Sequence, residues 1–286
     1  MKFARVRRSP VLRHPVPILA LWAVRGLGAL VVAAPVAAAL SAGLEHQPRA
    51  DTVLFAPGGA YLLEAIRLNQ RALAVAVPHA VWASLVVGGL CLVPLAALLI
   101  ALAPRGRGSE EAWLEHTAHH VPGLALLAGL TVLVQATVGT LTAIIALGAR
   151  PSLARQLGQR GGDSSLIVLV GVALVLIVGI GVVQDLARAA AVRHDCTVVD
   201  CIRTATAVAL ANPGRVTIAW LTPAVWSMAL ALAAVMVTRA VRLEAATDWQ
   251  WGVLVATHQL AALGIVALRA TWLARAVTLV ESPSRP

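Results

Sequence analysis

Three histidines, His116, His119 and His120, fall close together in Glu115-His-Thr-Ala-His-His. Spacings of three and four place their imidazoles on one face of a helix. Glu115 stands four residues before His119 and joins that face. Neutral imidazole with a carboxylate suits zinc or iron, so these four side chains are the metal candidates. The plainer reading is a solvated polar helix beside a membrane, and we adopt it: no metal, no other cofactor and no catalytic residue. His194, Asp195, Cys196 and Cys201 form a second group. A zinc site usually draws ligand pairs from two segments, and here a single pair stands at a gap of four. With Cys91 the cysteines number three, an odd count that implies no disulfide framework. Cys196 and Cys201 therefore read as two reduced thiols in a loop.

Other polar residues lie inside long apolar runs, where they cost free energy and attract functional suspicion. Gln135 sits midway in one such run, with Thr131 and Thr142 near its face. His258 sits in another, between Thr257 and Gln259. Uncharged groups of this kind commonly hold helices together through hydrogen bonds of about 1 kcal/mol. The alternative is a polar substrate path lined by Gln135 and His258. Arg25 lies about 10 Å of helix into the first run, within snorkelling reach of the interface. No carboxylate lies deep in a run, and Asp185 is near an end, which argues against a pump built on a buried acid. Nothing reads as a nucleophile triad, a phosphate loop or a dinucleotide turn. Gly179 and Gly181 lie in an apolar helix, where small residues let helices approach.

The elements that must carry these residues are six apolar runs, at about 16–44, 72–103, 121–148, 164–187, 216–240 and 249–272. About 20 apolar residues at 1.5 Å rise cross a bilayer. Hydrophobic residues make up 59% of the chain and charged residues 13%, against about 25% charged in a soluble domain. The runs are continuous, whereas barrel strands alternate. The fold class is therefore all-α: a polytopic membrane protein with six transmembrane helices, forming a single membrane domain over 1–286. Pro35, Pro78, Pro94 and Pro223 fall within the runs, where a bundle tolerates kinks. The halves show no matching breaks of the kind that inverted transporter repeats produce.

Net charge is +10. The arginines stand between the runs, where they set orientation and meet anionic headgroups, and no aromatics are interleaved for stacking bases. Nucleic acid is not an expected partner. With the N-terminus inside, the inner segments hold Lys2, Arg5, Arg7, Arg8, Arg13, Arg105, Arg107, Arg188, Arg193, Arg203, Arg215, Arg269, Arg275 and Arg285. The outer segments hold Arg49, Arg67, Arg71, Arg150, Arg155, Arg160, Arg239 and Arg242. Fourteen against eight predicts both termini in the cytoplasm. The first run is too long for a signal-peptide core and reads as a retained span.

Two connections read as short interfacial amphipathic helices. The outer one covers about 58–70, after a Pro57-Gly-Gly breaker, with Tyr61, Leu62, Ile66 and Asn69 at helical spacing. The inner one covers about 196–211 and ends at Asn212-Pro-Gly. Its stripe is Val198, Val199, Ile202, Ala205 and Val208, and Arg193, Arg203 and Arg215 are its candidate headgroup contacts.

The pattern Gln184-Asp-Leu-Ala-Arg188, the segment from Val192 to Thr206, and Ala209 through Arg215 before a span form one familiar stretch. Leu54 to Glu64, LFAPGGAYLLE, forms another. Together they resemble a loose group of uncharacterised six-helix bacterial membrane proteins. Their layout is similar to the membrane domain found beside glycerophosphodiester phosphodiesterases. The catalytic domain of those enzymes has no counterpart here, so the resemblance implies an inner-membrane location and little chemistry. The HxxHH at His116, His119 and His120 also resembles one histidine box of membrane di-iron desaturases and hydroxylases. Those enzymes use several boxes, and the other histidines here stand alone.

These observations favour a non-enzymatic membrane component: a scaffold, an accessory subunit or a lipid-organising protein in a bacterial inner membrane. Membrane lipids are its expected partners, with another membrane protein or a second copy of the chain as further candidates. The alternatives are a small-solute or lipid-like transporter, and a metal-dependent membrane enzyme using His116, His119 and His120.

Overall fold

The long apolar runs leave the backbone one way to satisfy its polar groups in lipid, which is local helical bonding. The computed structural model follows that constraint. It describes residues 14–44, 64, 66–103, 110–241 and 248–281, and among them there is no strand. The described helices are α1 (Pro15–Leu44), α2 (Gln70–Leu102), α3 (Glu110–His194), α4 (Val198–Ala211), α5 (Pro213–Ala240) and α6 (Asp248–Glu281).

α3 is two helices joined at Gly158, whose φ of 71° is left-handed backbone that glycine adopts without a Cβ clash. Six stretches are then long and apolar enough to cross a membrane: Pro15–Ser41, Gln70–Leu102, Trp113–Leu153, Arg160–His194, Pro213–Ala240 and Trp249–Glu281. Each apolar run of the sequence matches one of them, though the first two runs end slightly beyond Ser41 and Leu102. The outer loop expected between 149 and 163 is instead helical on both sides of Gly158.

Several helices outrun their apolar cores. The third stretch begins at Trp113 rather than near 121, and the last reaches Glu281 rather than 272. Hydropathy marks where lipid is needed, whereas a helix ends where capping ends it. The polar segment with the three histidines is thus the first part of α3. Of the predicted outer interfacial helix, residues 58–63 and 65 lie outside the described residues. Glu64 and residues 66–68 are helical.

The chain forms two compact units. One comprises Met1–Leu98 with Leu221–Thr271. In it α1 and α2 come close where Gly28 faces Val87, and His258 on α6 meets Thr238 on α5. Ile18 and Leu21 of α1 are buried.

The other comprises Leu99–Trp220 with Trp272–Pro286. Its two α3 arms run antiparallel. Gln135 bonds to Ile177, and His119 lies against Asp195. The midpoints of these pairs, 156 and 157, fall beside Gly158, as a hairpin folded there requires. Leu186 through Val192 form a continuously buried segment, α4 packs on α3, and Leu273, Ala276 and Val277 are buried. Leu126, Leu133, Ile144, Val168 and Val175 point outward on the two arms. Such exposed apolar surface fits helices solvated by lipid.

Candidate functional site: a polar centre at the end of the α3 hairpin

Polar and charged side chains of the second unit gather where α3 ends. Among the described residues the buried polar or charged ones are Asn69, Thr117, His120, Asp185 and Arg188, so all but Asn69 belong to this unit. Asp185 is the pivot. Its Oδ1 accepts from Arg188 Nη1 at 3.2 Å, one helical turn on. Its Oδ2 accepts from Trp272 Nε1 at 2.9 Å, from the far end of α6. Both Asp185 and Arg188 side chains are 8% exposed, and Trp272 is 3% exposed. A carboxylate at such burial needs a cation and a second donor, and it has both.

Two further links hold the end of α6, one to α3 and one to α5. Arg193 Nε stands 2.9 Å from Glu281 Oε1, and Arg275 Nη1 donates to the Ala219 carbonyl at 3.1 Å. Arg193, read from the sequence as a headgroup contact, is therefore turned toward α6. Arg203 and Arg215 are exposed, with Arg203 3.8 Å from Asp200.

The histidines of the sequence motif do lie together. His116 and His120 stack edge to face at 5.7 Å between ring centres, and His119 and His120 at 5.3 Å. Asp195, just after the second arm of the hairpin, brings Oδ1 to 3.4 Å from His119 Nε2 and 3.9 Å from His120 Nδ1. These contacts become ion pairs when the imidazoles are protonated. Glu115 is exposed. Among the described residues no group of three His, Cys, Asp or Glu side chains is gathered as a metal-holding set.

The short helix expected over about 196–211 is α4, Val198–Ala211. Thr197 is its N-cap, accepting from the Asp200 amide at 3.3 Å and donating its hydroxyl to Asp200 Oδ2 at 2.6 Å. The Asn212 amide closes the other end on the Val208 carbonyl. The sequence stripe splits on this helix. Cys201 and Ala205 are fully buried, Ile202 and Val208 half-buried, and Val199 is exposed. At about 100° per residue, Val199 cannot share the face centred between Cys201 and Ala205. Cys196 and Cys201, read from the sequence as two reduced thiols, are joined in this structure. The turn into α4 brings their Cα atoms to 5.8 Å, and the sulfurs are bonded.

Gln135 Nε2 donates to the Ile177 carbonyl at 3.0 Å, across the hairpin. Thr131 and Thr142 bond to carbonyls of their own helix. His258 Nδ1 lies 2.9 Å from the Leu254 carbonyl and Nε2 3.4 Å from Thr238 Oγ1. Gln135 and His258 belong to different units.

The chain matches no family model, no curated protein and no solved structure.

Asp185 and Arg188 both stand in the Gln184-to-Arg188 pattern singled out in the sequence, but nothing local named Trp272 as their partner. The only signal was an acid and a base one turn apart near the end of an apolar run.

Proposed function

We propose that this chain is a non-enzymatic component of a bacterial inner membrane, with both termini in the cytoplasm, that binds anionic lipid along α4. The observation that carries the proposal is the two-sided character of that helix. Cys201 and Ala205 bury one side within the unit, while Val199 at 66% and Leu210 at 76% exposure flank Arg203 at 80% on the other. Exposed apolar side chains beside an arginine suit the boundary between headgroups and acyl chains. The buried Asp185–Arg188–Trp272 link and the Arg193–Glu281 pair hold the hairpin end that presents α4. Such a helix would gather acidic lipids around the protein or seat a membrane-protein partner, which fits a scaffold or accessory subunit.

The test is amide exchange over 198–211 in full-length protein reconstituted into phosphatidylglycerol or phosphatidylcholine nanodiscs. Exchange should be slower in the anionic lipid. Arg203→Gln should remove most of the difference, because one arginine at an anionic surface is worth about 1 kcal/mol. Ile202→Asp should raise exchange in both lipids by placing a charge on the half-buried side. Equal exchange of the native protein in the two lipids would defeat the proposal.

The threading is checked separately. A membrane-impermeant maleimide added outside cells should modify cysteine placed at Gln47 and spare one placed at Ser284. External modification at Ser284 would reverse the orientation drawn from the arginine distribution.

A further inference from the structure

We propose that Cys196 and Cys201 form a reversible thiol–disulfide exchange pair whose substrate is a dithiol reductant, and that its state sets how firmly α4 is docked. The inference rests on the cytoplasmic placement of α4 proposed above. Thiols in that compartment are kept reduced, and a disulfide facing it is usually transient and redox-sensing.

Three features of the connection favour exchange. First, only Asp195, Cys196 and Thr197 separate α3 from α4, and the bond joins the connection to the buried side of the helix. Asp195 makes the turn with a φ of 51°, the one positive-φ residue other than glycine among the described residues. Second, the two sulfurs differ in access. Cys201 is fully buried, whereas Cys196 is half-buried in the connection. An incoming thiolate therefore attacks at Cys196. Third, Cys201 stands in the first turn or so of α4, just after the cap at Thr197 and Asp200. The partial positive charge of a helix start helps to stabilise the electron pair that Cys201 receives when the bond breaks, against the cost of its burial.

The exchange balances as follows. One thiolate of the dithiol bonds to the Cys196 sulfur, and the Cys196–Cys201 bond breaks with its electron pair going to Cys201. The second thiol of the reductant, losing its proton, attacks the reductant's own sulfur in the mixed disulfide and expels the Cys196 thiolate. Two protein thiols and one reductant disulfide result, with the dithiol oxidised and the protein pair reduced. Reduction removes one tether of α4 but leaves its N-cap and the burial of Ala205, so the helix loosens without detaching.

The experiment uses the full-length protein in phosphatidylglycerol nanodiscs, treated with dithiothreitol and then with its oxidised form. Thiols are trapped by alkylation and mapped by mass spectrometry, and amide exchange is followed over 198–211. Cys196 and Cys201 should both become alkylated without denaturant, and exchange should rise about tenfold, the scale expected for losing a short cross-link. Oxidised dithiothreitol should restore both signals. Cys196→Ser, at the half-buried position, should exchange like the reduced protein and ignore the reductant. In acid-quenched cells the pair should be found as thiols at rest and bonded after an oxidant. A bond that resists dithiothreitol in the folded protein, or is permanently present in cells, overturns the proposal. So does reduction with no change in exchange. If lipid charge still alters α4 in those cases, the proposed lipid contact stands and only the redox inference falls.

Discussion

Asp185→Ala is expected to be among the most destabilising single substitutions in this chain, lowering the unfolding free energy by about 3–5 kcal/mol. The side chain holds two partners at once, Arg188 on its own helix and Trp272 on α6. Removing the carboxylate leaves Arg188 buried without the anion it was paired with, and leaves the Trp272 indole N–H without its acceptor. That loss far exceeds the worth of an exposed ion pair, about 1 kcal/mol or less. Trp272→Phe tests the second arm of the link. It keeps most of the packing and removes one donor, so a smaller loss of about 1–3 kcal/mol is expected. Replacing Asp185 and Arg188 together by leucine and methionine should recover much of the stability, because a buried ion pair can often be exchanged for apolar packing at little cost. Equilibrium unfolding in mixed micelles, followed for all variants, checks the ordering. An Asp185→Ala protein as stable as the native one would mean that the buried carboxylate contributes nothing to holding α6 to the hairpin.

In the first unit, Gly28→Ala should destabilise by about 1–3 kcal/mol through overpacking. A Cβ built on Gly28 would overlap Val87 Cγ1 and stand 3.2 Å from Val87 Cβ. Valine branches at Cβ and has one strongly preferred helical rotamer, so it cannot swing aside cheaply. The backbones of α1 and α2 approach here because no side chain stands between them, the usual device where helices associate in lipid. Gly88→Ala is the control. It lies one residue from Val87, and a Cβ there meets nothing within 4 Å. The same unfolding measurement should find Gly88→Ala neutral or slightly stabilising, since alanine is the better helix former. Gly264→Ala should fall between the two, because its nearest neighbour is the flexible end of Leu230 at 2.8 Å. Equal effects at Gly28 and Gly88 would refute the close approach.

Much of this architecture was readable residue by residue. The apolar runs from 16–44 to 249–272 each became part of a long helix. Lipid offers the backbone no hydrogen bonds, so an apolar segment of that length has no competing structure. The stop at Asn212-Pro-Gly and the short helix before it were equally legible, because capping and breaking are local. The ends of the spans were less so. His116 to His120, and Arg188 to His194 with its two arginines and a histidine, lie outside the apolar runs yet are helical, since neighbouring turns and helix propensity extend a helix beyond its apolar core.

The polar centre could not be read in this way. Asp185 and Trp272 are 87 residues apart, and each has an ordinary local context. Their meeting depends on how far α6 extends and which way it faces. His119 meets Asp195, and Gln135 meets Ile177, because the α3 hairpin folds at Gly158, and a hairpin displaced by a few residues would pair different side chains. The bond between Cys196 and Cys201 likewise depends on the left-handed turn at Asp195, which brings the start of α4 back toward its own approach. Composition and apolar run length alone determined that this protein is a six-span helical membrane protein, because the free energy of placing backbone and apolar side chains in lipid is set locally. Tertiary structure alone decided which of its few polar groups are joined, because that depends on the register between helices, to which an apolar surface is nearly indifferent.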